Sequence, residues 1–176
     1  MRWMWIDRIV ELKPRERLVA IKNVSLAEEH LHDHFPAAGA RAALPLMPAS
    51  LILEGMAQTA GILVGHAADF QENVILAKCG NAEFARDVTP GQTLRYTATM
   101  THYDAAGAST QGLVEVLDHS QAARGYQRVG AIDLMFSHTG SSIDLKGLGQ
   151  DIPSHNFVFS EAFKTLLRTS GFDARF

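Results

Sequence analysis

One stretch constrains this chain more than any other. From Pro48 to Ala68 it reads PASLILEGMAQTAGILVGHAA, apolar on nearly every side yet carrying Glu54, Gln58 and His66. Its length approaches that of a membrane span, but placing those polar groups in lipid without partners would be costly. A core helix is the expectation, begun at a proline suited to a first helical turn. A helix that is apolar all round must be enclosed. Ala49, Gly55, Ala57, Ala60, Gly61 and Gly65 are small enough for a sheet or a symmetry mate to approach its backbone. Each glycine lowers helix propensity by about 1 kcal/mol relative to alanine, so tertiary packing has to hold the helix together.

The flanking sequence supplies the enclosing material. Trp5 to Leu12 and Arg17 to Ser25 have strand composition and are joined through Lys13-Pro14-Arg15-Glu16, which predicts a hairpin. Ala27 to Ala43 has no strong periodicity and reads as a loop with room for a helical turn. After the helix come strand-like segments at Val74 to Phe84, Thr93 to Tyr103, Ser109 to Leu117 and Tyr126 to Ser137, a meander punctuated by turns at Thr89–Gln92 and Asp104–Gly107. Beyond Thr139 one helix is expected near Ser160 to Ser170, with Ser160 as N-cap and Gly171 just past the end. Its apolar face comprises Phe163, Leu166 and Leu167, with Phe172 and Phe176 beyond, so it should dock on the outer face or edge of the sheet. At 176 residues the chain holds one core, since a domain averages roughly 150. The expected class is α+β: a curved antiparallel sheet wrapped around one long apolar helix, the hot-dog arrangement. Residues 1–138 form that domain and residues 139–176 a C-terminal extension with a short amphipathic helix.

Lys and Arg total 16 against 19 Asp and Glu, a net charge of −3, and no basic run provides a nucleic-acid footprint. Cys79 is the single cysteine, so no intrachain disulfide can form, and a lone thiol fits a reducing, cytoplasmic compartment. Asp7 and Arg8 interrupt the stretch in which an export signal would need an unbroken apolar core.

The loop HLHDHFP sets three histidines beside Asp33. The spacing differs from the H-x-H-x-D-H of the metallo-β-lactamase type, and no cysteine ligand lies nearby, so a bound metal is not expected. His30 and His32 read as polar loop residues, and Cys79 as a small core residue. Glu54 is more informative: a carboxyl group in so apolar a helix must face a cleft or be paired, and desolvation suits such a group to proton donation. Gln58, at i+4, shares its face and can orient it. A solvated polar stripe would have the same spacing.

Three segments, NVSLAEEHLHDHFP, PLMPASLILEGMAQTAGIL and FARDVTPGQTL, resemble the β-hydroxyacyl-acyl-carrier-protein dehydratases of type II fatty acid synthesis, a hot-dog family. The resemblance runs from about Trp5 to about Ser137. It implies that His34 is the catalytic histidine and Glu54 the catalytic acid. Ala49 stands where the family usually has a glycine whose N–H holds the thioester carbonyl, Gln58 matches the glutamine near the acid, and Phe35 and Pro48 flank the two motifs as substrate-binding residues. It also implies a homodimer with shared sites, the histidine from one subunit and the carboxyl from the other, and dimers that can assemble into a trimer of dimers. The partner is acyl carrier protein bearing a phosphopantetheine-linked acyl chain, with no cofactor, nucleic acid or membrane insertion. Two departures stand out: a longer segment between His34 and Glu54, with the excess in AAGARAA, and Ala49 itself. The stretch from Ala37 to Leu44 is expected at the pocket rim.

The chemistry needs one base and one acid. Loss of water from a β-hydroxyacyl thioester removes a weakly acidic α-proton and expels hydroxide, which leaves well only when protonated; a neutral histidine and a protonated carboxyl supply both. An N–H at the positive end of the helix can stabilise charge on the thioester oxygen. The competing readings are a hot-dog thioesterase or acyl-CoA hydratase, and a non-catalytic acyl-binding partner subunit.

Overall fold

The computed structural model describes residues 3–139 and 160–172. β1 (Arg8–Lys13) and β2 (Arg17–Asn23) form the expected hairpin, followed by the short helix α1 (Glu29–Asp33) and the long helix α2 (Ala49–Ala67). β3 (Asn73–Phe84), β4 (Gln92–Tyr103), β5 (Gly107–Asp118) and β6 (Gln127–Thr139) follow, with a 3₁₀ turn at His119–Arg124, and α3 (Glu161–Thr169) lies in the extension. All six strands join one antiparallel sheet in the order β1-β2-β4-β5-β6-β3. This is the hot-dog arrangement, with one correction to the meander. Only β4, β5 and β6 run as consecutive neighbours, while β3 pairs with β6 and becomes the far edge. The Thr89–Gln92 turn therefore carries the chain across to a distant strand and closes no hairpin.

Interlocking of small and large residues seats α2 on the sheet. Tyr96, fully buried on β4, lies against Gly55: a Cβ there would fall 2.5, 2.6 and 2.8 Å from the tyrosine Oη, Cζ and Cε2. Met56 uses the matching gap at Gly112 on β5. Ile52, Ile62, Leu63 and Val64 of α2 join Leu18, Leu94, Val114 and Ile132 of the sheet in one core. Pro48 precedes the first helical residue as N-cap instead of opening the first turn. At the other end Arg15, in the β1–β2 turn with φ of 59°, donates from Nε and Nη2 to the Ala67 carbonyl. Its cation thereby satisfies an otherwise unpaired C-terminal carbonyl of the helix.

The extension docks as expected, at an edge of the sheet. α3 packs beside β1, with Leu166 and Leu167 in the main core, and the Ile9 N–H donates to Ser170 Oγ at 3.0 Å. Ser160 is the N-cap residue, and Gly171, with φ of 84°, lies just past the end. Residues 140–159 and Phe176 lie outside the described residues. Among the described residues no helix is long and apolar enough to cross a membrane.

Candidate active site

A cleft of about 260 Å³ runs along the face of α2 between the N-terminal segment and the β3 edge. Glu54, Ala57, Gln58, Gly61 and Ile62 come from the helix, Val74 and Leu76 from β3, Phe136 from β6, Trp3 from the N-terminus and Phe163 from α3. The helical positions recur at three- and four-residue spacing, so one stripe of α2 forms a wall. Small side chains at Ala57 and Gly61 leave the space. Apart from Gln58 the surroundings are apolar, and among the described residues Glu54 is the one acidic side chain on the cleft.

Its carboxyl group is held asymmetrically. Trp3 Nε1–H donates to Glu54 Oε1 at 3.1 Å and Gln58 Nε2–H donates to the same oxygen at 2.9 Å. Among the described residues no hydrogen bond is made to Oε2, so that oxygen is open. Gln58 is itself fixed: its Oε1 accepts the Trp5 N–H at 2.8 Å, and its Nε2 also donates to the Trp3 carbonyl at 3.1 Å. One buried amide thus ties the N-terminal segment to α2 and aims the acid. The Glu54–Gln58 pairing was readable from the i+4 spacing.

His34 stands elsewhere. It is the C-cap residue of α1, its N–H donating to the His30 carbonyl, and its ring packs edge-on against Phe35 at 4.4 Å. Both residues are exposed, and neither lines the cleft that holds Glu54. Within one chain the structure does not bring the two motif residues together. Ala49 is exposed as the first residue of α2, where first-turn N–H groups lack intrahelical partners; Pro48 behind it is buried. The enlarged loop folds on itself. Ala38 and Arg41 exchange two backbone hydrogen bonds at 3.0 Å around Gly39, the Leu44 N–H donates to the Phe35 carbonyl, and Arg41 Nη2 reaches the Pro36 carbonyl at 3.2 Å. It is an exposed, self-closed hairpin next to His34, away from the Glu54 cleft.

Two expectations are corrected. Cys79 is exposed, because β3 is an edge strand whose middle residues face outward. His30 is half-buried, not a solvated loop residue: it packs edge-on against Trp5 at 5.0 Å with Nε2 buried and unbonded among the described residues. Desolvation lowers its pKa first, Glu28 opposes this, and Lys22 and His34 reinforce it. Among the described residues no three His, Cys, Asp or Glu side chains converge as a metal site.

Trp3, Gly61 and Phe136 were missed as site residues, whereas Phe163 lies on the apolar face expected to dock. The helical stripe Glu54-Ala57-Gln58-Gly61 could have revealed Gly61; the others arrive from distant segments.

With this geometry in hand, comparison with known proteins is informative. The family described as FabA-like domain matches residues 2–119. A 3-hydroxyacyl-acyl-carrier-protein dehydratase FabZ from Solibacter usitatus is 38% identical over 116 residues, covering 65% of this chain and 67% of that one. A second, from Geobacter metallireducens, is 40% identical over 102 residues, covering 56% and 64%. The chain thus spans about two thirds of the length of these relatives. Among solved structures, a chain of the dehydratase heterocomplex ApeI:P from Xenorhabdus doucetiae aligns with a TM-score of 0.60 at 15% identity, covering 85% of this chain and 91% of that one. That likeness speaks for the fold.

Proposed function

The chain belongs to the family of FabA-like domains, and on that premise we propose that it dehydrates β-hydroxyacyl chains carried as thioesters on acyl carrier protein. The products are the trans-2-enoyl thioester and water, a step of fatty acid or related acyl-chain biosynthesis. The observation that carries this reading is Glu54: a carboxyl group on an apolar cleft, one oxygen fixed by two donors and the other open.

In this reading His34 takes the proton from the carbon next to the thioester carbonyl. Glu54 Oε2 delivers a proton to the departing hydroxyl, and the C–O bond breaks as the C=C bond forms. Ala49 N–H stabilises the enolate-like oxygen at the positive end of α2, Gln58 positions the acid, and Phe35 and Pro48 border the path of the acyl chain. Proton transfer returns the pair to its starting state once water leaves.

Because His34 is absent from the Glu54 cleft of its own chain, the complete site is shared between two copies. The separation of the two residues supports this, as does β3, a twelve-residue edge strand whose unpaired backbone invites another strand. Leu76 and Met135 near that edge, and Phe35 and Leu44 in the histidine loop, are exposed apolar side chains a second copy would cover. Dimers of this kind can build further into a trimer of dimers. The protein works in the cytoplasm, where the lone thiol of Cys79 stays reduced.

The test uses a β-hydroxyacyl and a plain acyl thioester on acyl carrier protein. Enoyl formation from the first without thiol release from the second is expected; thiol release alone would replace this reading with a thioesterase. His34→Ala and Glu54→Gln should each lose about 100-fold to 10,000-fold in turnover. Mixing the two inactive variants should restore activity through heterodimers carrying one intact site. No recovery after demonstrated subunit exchange would refute the shared site.

A further inference from the structure

The cleft beside Glu54 is lined in part by a residue from outside the segment that matches the family. Phe163 belongs to α3, more than forty residues beyond the end of the matched region at position 119. Its helix has other anchors besides it. Leu166 and Leu167 are buried in the core, Phe172 packs against that core, and Ser170 Oγ accepts a hydrogen bond from the first edge strand. Phe163, one turn earlier on the same face, projects from this anchored base onto the cleft wall.

We propose that Phe163 is a specificity-determining residue that limits the length of the acyl chain the Glu54 cleft accepts. This rests on reading that cleft as the acyl-binding site. Three observations carry it. The cleft, at about 260 Å³, lies below the roughly 300 to 1,000 Å³ of pockets that enclose drug-sized ligands, which fits a short to medium acyl group. Glu54 and Gly61 mark a helical wall of about 10 Å at 1.5 Å rise per residue, so the reacting end of a ligand at Glu54 leaves only limited length before the wall ends. The remaining contributors to that wall, Val74, Leu76 and Phe136, sit on β3 and β6, paired across the sheet, whereas Phe163 sits on a separate helix. A change there alters the cleft without substituting any residue of the sheet or α2. Trp3, by contrast, is bonded to the acid itself and belongs to the reacting end.

A single methylene accommodated or refused by an apolar pocket changes discrimination by roughly 10-fold to 200-fold. Wild type, Phe163→Ala and Phe163→Leu are therefore compared on β-hydroxyacyl thioesters of graded length on acyl carrier protein. The affinity of saturated acyl thioesters of the same lengths, which cannot be dehydrated, is measured in parallel by calorimetry. Phe163→Ala should raise the long-to-short ratio of kcat/KM by about tenfold or more, with Phe163→Leu intermediate. The binding series should shift in the same order. An unchanged ratio in both series, with folded protein confirmed by its melting curve, overturns the proposal. If wild type dehydrates nothing, the functional reading fails on its own, and the binding series still decides whether Phe163 is the wall. Failure of Phe163→Ala to fold leaves Phe163→Leu as the deciding variant, since it keeps an apolar side chain on the helix.

Discussion

The contact between Gly55 and Tyr96 allows a sharp test of what holds α2 in place. Replacing a helix-interior glycine by alanine should stabilise by about 0.8 to 1 kcal/mol from propensity alone. At Gly55 the new methyl would lie 2.5 to 2.8 Å from three atoms of the Tyr96 ring and hydroxyl, and that ring is fully buried between α2 and the sheet. Overpacking of this kind costs about 1 to 3 kcal/mol, occasionally more, and with a buried ring as the obstacle the upper part of that range applies. The net expectation for Gly55→Ala is a loss of about 2 kcal/mol, or roughly 4 to 8 °C in Tm for a chain of this size. Gly61→Ala is the internal control. A Cβ there meets only Phe136 Cε1, at 3.8 Å, so propensity wins and Tm should rise by about 2 to 4 °C.

Thermal unfolding at equal protomer concentration reads both variants, since association shifts apparent stability. A Gly55→Ala protein as stable as wild type would refute the reasoning. So would additivity in a cycle with Tyr96→Leu, where removal of the ring should recover about 0.5 to 3 kcal/mol as coupling. A kinetic consequence follows from position. Relief of the clash pushes α2 away from the sheet and carries Glu54 and Gln58 with it, while Trp3, which donates to Glu54 Oε1, belongs to the N-terminal segment and does not move with the helix. Misplacement of a reacting group by about 1 Å can lower turnover 100-fold, so Gly55→Ala should reduce kcat far more than Gly61→Ala.

Three further outcomes are expected. Gln58→Leu strands the buried Trp5 N–H and frees Glu54; an unsatisfied buried donor costs about 1 to 3 kcal/mol, so both Tm and kcat should fall, whereas Trp3→Phe, which removes one donor to Glu54 Oε1, should lower kcat by about tenfold with little change in Tm. Burial lowers the His30 pKa, so the unfolded chain takes up this proton first as pH falls: stability is full above about 6.5 and lost as pH drops through the folded value. Melting curves from neutral to mildly acidic pH should show less acid sensitivity in His30→Gln, and identical slopes would refute the assignment. Stopping the chain after Thr139 removes Leu166 and Leu167, each of which contributes about 1.5 to 3 kcal/mol when buried. Tm should fall, and an unchanged Tm would show that α3 adds nothing to the core.

What the sequence disclosed and what it withheld divide along the range of the interactions concerned. α2 was legible because its limits, its apolar girth and its Glu54–Gln58 pair are all encoded within a few helical turns. The β1–β2 hairpin and the cap residues of α3 were legible for the same reason. The edge position of β3 was not, because turn residues at Thr89–Gln92 specify a reversal of the chain but not which strand lies beside the next one. Cys79 was misplaced as a result: strand composition suggested a core position, and only the pairing of β3 with β6 on one side leaves it exposed. The same limit governs the site. That Glu54 faces a cleft could be anticipated from the cost of burying a carboxylate, but which of its oxygens is free depends on Trp3, fifty-one residues away. Trp3 is in turn held by Gln58, whose amide serves the acid and the N-terminal backbone at once. The local motif therefore supplies the carboxyl group and the fold sets its partners: folding the N-terminal segment onto α2 brings Trp3 to Oε1 beside Gln58, on a cleft that Phe163 also lines.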